Sequence, residues 1–149
     1  MFKKNARNTV FALIMMVITG IAFTFLGIFA VDLLGSFSFV GVIALFCIIL
    51  GIGYYVGRQL DYDKKTGLLS IVVLPMAILL AVYGIFMVVA SVVSMILQYP
   101  AAVWFETFNI SADSNAVMFY VVAFAHYLLY TLAIFVGACK NKAKKIRTV

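Results

Sequence analysis

Residues 3–31 read KKNARNTVFALIMMVITGIAFTFLGIFAV, a basic start followed by a long apolar run. From Val10 to Val31 no residue is charged. At about 1.5 Å of rise per residue, a helix over that run spans a hydrocarbon core about 30 Å thick. Lys3, Lys4 and Arg7 ahead of the run, with Gly27 and Ala30 spaced like a cleavage site, also imitate a signal peptide. A signal-peptide apolar region is only about 7–15 residues long, so the expectation is a first helix that stays in the chain.

The same pattern recurs along the sequence. Apolar stretches cover about 8–31, 37–57, 68–97 and 116–139, and each is long enough to cross a bilayer. The whole chain is 66% hydrophobic and 11% charged, where a soluble domain carries roughly a quarter charged residues. Its mean hydropathy of +1.19 points to lipid. Four spans and their turns account for nearly all of 149 residues, so residues 1–149 form a single integral membrane domain with no room for a folded soluble part.

Orientation follows from where the charge falls. All 11 Lys and Arg residues sit in three places: before the first span, at Arg58, Lys64 and Lys65 between the second and third, and at Lys140, Lys142, Lys144, Lys145 and Arg147 after the fourth. The other two connections carry only Asp32, Glu106 and Asp113. Four crossings bring every basic cluster to one side, and the excess of Lys and Arg marks that side as cytoplasmic. The expected fold is therefore an all-α, four-transmembrane-helix antiparallel bundle with both termini inside. A net charge of +6 would suit nucleic acid, but basic residues at span ends serve topology, and no nucleic-acid partner is expected. The tail cluster at 140–149 is a candidate contact for anionic lipids at the inner leaflet.

Membrane helices pack through close backbone approach, so small residues at a seven-residue period mark contact faces. In the first span this face reads Ala12, Met16, Gly20, Phe23, Gly27, Ala30; in the second, Gly41, Ala44, Ile48, Gly51, Tyr55, with Gly53 and Gly57 beside it. The Gly53–Gly57 pair is a GxxxG edge that suits a partner helix or a second copy. The third offers Ala77, Ala81, Gly84, Val88, Ser91, Met95 and Gln98, and the fourth Ala123, His126, Tyr130, Ala133 and Gly137. Pro75, in the first turns of the third span, loses few backbone bonds and is expected to cause at most a mild bend.

Candidate chemistry is sparse. His126, the only histidine, falls near the middle of the fourth span, where an ionisable group must face the bundle interior or water. Together with Tyr130, Ser91 and Gln98 it defines a possible polar path; as a neutral ring bonded to a carbonyl or hydroxyl it is purely structural. One histidine makes no metal site, and no cofactor is expected. In the outer connection 98–115, Ala101, Trp104, Phe105 and Phe108 form an apolar stripe at helical spacing, predicting a short amphipathic helix in the outer interface. Asn109-Ile110-Ser111 there has the form of a glycosylation sequon. Asp61-Tyr62-Asp63 has the spacing of a metal or sugar-phosphate motif, but Arg58, Lys64 and Lys65 beside it favour a solvated turn. Cys47 lies mid-span and Cys139 at a span end, which offers no disulfide framework.

No catalytic motif is present, neither HExxH, GxSxG, CxxC, a phosphate-binding glycine loop nor paired intramembrane carboxylates. The function expected is a non-enzymatic subunit, accessory or immunity-type partner of a larger membrane complex, or a homo-oligomer. A small oligomeric transporter or channel past His126 is an alternative, and lipid handling through the aromatic outer loop a third. Eight Lys against three Arg, with abundant Ile and Phe, leans towards a bacterial plasma membrane.

Overall fold

The computed structural model describes residues 2–60, 66–86, 92–110 and 116–147, with side chains over 5–60, 66–81, 100–110, 118 and 120–140. Among them every element is helical: α1 (Phe2–Leu34), a 3-10 turn (Gly35–Phe37), α2 (Ser38–Gly57), a π-helical turn (Leu69–Val73), α3 (Leu74–Phe86), α4 (Val92–Thr107) and α5 (Ala116–Arg147). Two helical stretches are long and apolar enough to cross a membrane, Asn5–Gly57 and Tyr120–Lys140, and Leu69–Ala81 is a shorter apolar helix.

The first stretch is not one rod. At Gly35 the backbone takes φ +49, a conformation glycine adopts without steric cost, and the chain folds back. The α1–α2 hairpin then closes with Gly41 under Ala30 and Leu34, and with Phe23 edge-on to Phe46 at 5.9 Å. On α1, Ala12, Met16, Gly20, Phe23 and Gly27 are buried and Ala30 is half-buried.

Pairwise contacts give each helix its direction. Asn5 Oδ1 accepts from Thr66 at 3.1 Å and the Thr9 hydroxyl donates to the Ser70 carbonyl at 2.8 Å, so the segment entering α3 runs parallel to α1. Gly53 meets Tyr130 and Gly57 meets Ile134, so α2 and α5 are parallel. Gly20 meets Tyr127 while Phe23 lies 4.6 Å from His126, so α1 and α5 are antiparallel. The N-terminus of α1, the C-terminus of α2 and the basic end of α5 thus share one end, where Arg7, Arg58 and Lys140 are exposed.

The faces of α2 and α3 differ from expectation. On α2 the buried positions are Ser38, Val42, Ile49, Gly53 and Gly57, while Ala44, Ile48, Gly51 and Tyr55 point outward. The glycine pair expected to receive a partner helix is used inside the chain, and Gly51 has no neighbour within 4 Å. On α3, Ala77 and Ala81 are exposed; the π turn and α3 bury Ile71, Val72, Met76 and Leu79 instead. Pro75 explains the π turn. Proline has no N–H for the carbonyl four residues back and crowds it, and the preceding turn widens so that the Leu74 N–H reaches the Leu69 carbonyl.

A second correction concerns residues 98–115. Through Thr107 this segment belongs to a 16-residue helix with Pro100 inside it, rather than to a loop with a separate interfacial helix. Ala101 and Phe105 are buried, Trp104 is half-buried and only Phe108 of the stripe is exposed. The stripe packs into the bundle: Val103 fills the notch at Gly27 and Trp104 lies 5.4 Å from Phe23. The N-terminal half of α1 is thus covered by 66–73 and its C-terminal half by α4.

Several threonine hydroxyls bond to carbonyls of their own helices. Thr19 donates to Met15 at 2.6 Å, Thr24 to Gly20 at 2.9 Å, Thr107 to Val103 at 2.6 Å and Thr131 to Leu128 at 3.0 Å. This is the way a polar side chain becomes tolerable where no water competes.

Candidate functional site

Three helices and a turn converge on His126. Val122, Ala125, His126 and Leu129 fall at i, i+3, i+4 and i+7 of α5, so one helix face carries all four. Facing them, α4 supplies Trp104 and Phe105, the turn after it Phe108, and α2 supplies Phe46. Beyond Thr107 the chain reverses: the Ile110 N–H bonds to the Phe105 carbonyl at 2.9 Å and the Asn109 N–H to the Glu106 carbonyl at 3.1 Å, with Asn109 at φ 58. This is a Schellman ending, and asparagine is the common non-glycine residue at its left-handed position. The reversal sets Ile110 over the Phe105 side, where both border a cavity of about 360 Å³ that Met118 closes from α5.

His126 is buried in this wall and held by one polar contact. The Trp104 indole N–H donates to His126 Nδ1 at 3.3 Å. A ring nitrogen that accepts carries no proton, so the imidazole is the neutral form with its hydrogen on Nε2. Aromatic rings enclose it, with Phe23 at 4.6 Å, Phe46 at 4.9 Å and Tyr127 at 5.4 Å between centroids. The arrangement offers a single donor in apolar surroundings. Among the described residues, no three His, Cys, Asp or Glu side chains come together.

The other residues singled out in the sequence are dispersed. Tyr130, one turn from His126, leaves the cavity and packs on Gly53. Its hydroxyl is buried near Thr19 without a formed hydrogen bond to it. Ser91 and Asp61-Tyr62-Asp63 lie outside the described residues, as do the side chains of Gln98, Lys142, Lys144, Lys145 and Arg147. Gly84 lies on α3, with surroundings outside the described side chains. Gly137 packs directly on the Tyr54 carbonyl, Lys140 reaches over the Tyr54 ring at 5.9 Å, and Asn109 is exposed while Ser111 is not described. Cys47 is an exposed free thiol, and Cys139 is half-buried at the basic end of α5.

Sequence reasoning missed Phe46, Val122 and Leu129, and it missed that Trp104 and His126 touch. The usable signal was the Ala101–Trp104–Phe105–Phe108 stripe, which has the periodicity of a packed helix face as much as of an interfacial one. No protein-family model, curated protein or solved structure matches this chain.

Proposed function

We propose that the chain is a four-crossing plasma-membrane protein with both termini in the cytoplasm. It acts without enzymatic chemistry, as a subunit, accessory or immunity-type partner of a larger membrane complex or as a homo-oligomer, through helix packing. Several observations support the crossing pattern. Helices α1 and α3 are parallel, α2 and α5 are parallel, and the two sets oppose one another, as alternate crossings require. Arg7, Arg58 and Lys140 share one end, and large apolar side chains such as Phe25, Phe29, Leu33 and Ile48 are exposed where lipid would lie. Helix α5 continues through Arg147, so Lys140, Lys142, Lys144, Lys145 and Arg147 extend a basic helix at that end, each contributing about 1 kcal/mol near anionic lipid.

The observation that carries the partner reading is the outer face of α2. Ala44, Cys47, Ile48, Gly51 and Tyr55 are all exposed, and a side chain placed at Gly51 would meet nothing. A notch of small residues facing outward lets a second helix approach the backbone closely, which is how membrane helices gain contact energy. Gly51→Leu fills that notch without touching the bundle. Extraction of native membranes in mild detergent should give the wild-type chain in a larger assembly and the Gly51→Leu chain alone, with equal melting temperatures. A wild-type chain that runs by itself, or an assembly indifferent to Gly51→Leu, contradicts the proposal.

A further inference from the structure

We infer that the cavity beside His126 binds a flat, membrane-soluble carbonyl compound of the quinone class, packed against its aromatic lining and accepting a hydrogen bond from the His126 Nε2–H. The inference rests on the membrane reading above but not on partner docking.

Three features choose this occupant. At about 360 Å³, the cavity is within the size range of sites for small organic ligands. Its lining is rich in rings, with Phe46, Trp104, Phe105, Phe108 and His126 all bordering it. Offset-stacked and edge-to-face contacts reward a planar ring, whereas a saturated chain gains from them only its buried area. The third feature is polarity. Because Trp104 occupies Nδ1, the imidazole can offer the cavity only a donor, so the matching ligand brings an acceptor and no charge. In apolar surroundings one such bond orients the ligand, and its loss is felt in full.

Access is consistent with a ligand that arrives through the bilayer. Phe108, Met118 and Leu129 at the rim are each about half exposed on the side of the bundle.

Trp104 is the only tryptophan in the chain, so its emission reports on the cavity alone. The full-length protein in detergent micelles is titrated with a decyl-substituted benzoquinone. The expected result is saturable quenching, with His126→Phe weakening binding about tenfold while helical content holds and the melting temperature falls no further than in Trp104→Phe, which loses the same bond. Ala125→Leu, which narrows the cavity from α5 and leaves His126 intact, should weaken binding as well and serves if His126→Phe does not fold. Quenching that rises linearly with quinone per micelle, equal in wild type and variants, overturns the inference. So does saturable quenching by a brominated fatty acid that displaces the quinone, since the occupant is then an acyl chain. A chain that binds quinone yet runs alone in native membranes sinks only the partner proposal.

Discussion

Helix α5 takes part in two contacts of opposite character. At the basic end, Gly57 of α2 lies on the Ile134 carbonyl and Gly137 of α5 on the Tyr54 carbonyl, backbone against backbone with no room for a methyl group. Towards the other end the same helix presents Val122, Ala125, His126 and Leu129 to aromatic residues of α4 and α2, and a cavity remains. Small residues let helices touch and close the seam. Rings hold them apart, and a few flat, stiff side chains cannot fill an irregular gap as interdigitating aliphatic chains do. The difference separates a fixed seam from a region with space for a ligand.

Substitution at the seam should give the largest effect. In an exposed helix, alanine in place of glycine is favourable by about 1 kcal/mol. At Gly57 the new methyl would strike the Ile134 carbonyl, a backbone atom that cannot rotate away. Gly57→Ala should therefore destabilise the chain by about 2–3 kcal/mol, read as a lowered unfolding midpoint in detergent. A neutral result would show the seam to be looser than its geometry.

The cavity should be more forgiving. Trp104→Phe keeps an aromatic ring but removes the donor to His126 Nδ1, and a cost of about 1 kcal/mol is expected from that bond. Unfolding of this variant beside His126→Phe and the double variant isolates the pair, because a coupling near zero would mean the contact contributes nothing. Smallest of all should be Gly51→Ala on the outer face of α2. Nothing lies within 4 Å of the added methyl, and the isolated chain should be unchanged or more stable by up to about 1 kcal/mol. A clear loss of stability there would mean that α2 is rotated from the orientation described.

Gly51 and Gly57 also show where legibility ended. Both stood out in the sequence as small residues on α2, and the contact face chosen from spacing ran through Gly51, whereas the chain packs on Gly53 and Gly57. In a soluble helix the polar side would have revealed the answer. Here α2 is apolar all round between Ser38 and Gly57, and a helix of one polarity carries no hydrophobic pattern that says which side is inside. On α1 the glycines and Ala12 share one stripe with no rival set on the opposite side, and those positions are the buried ones.

The segment 98–115 failed for another reason. Pro100, Glu106 and Asn109 give it the look of a connection, and helices seldom carry an internal proline. Contacts with α1 and α5 outweigh the lost backbone bond, and they are long-range facts that no local window contains.

By itself, the sequence determined the apolar lengths, the collection of 11 basic residues into three clusters and the scarcity of polar chemistry. These depend on composition along the chain. Only the tertiary structure decided which side of α2 faces inward, that α4 covers the C-terminal half of α1, and that Trp104 meets His126 beside a cavity. Each of these depends on rotation and depth of helices relative to one another, which close packing sets and a one-dimensional hydropathy pattern does not encode.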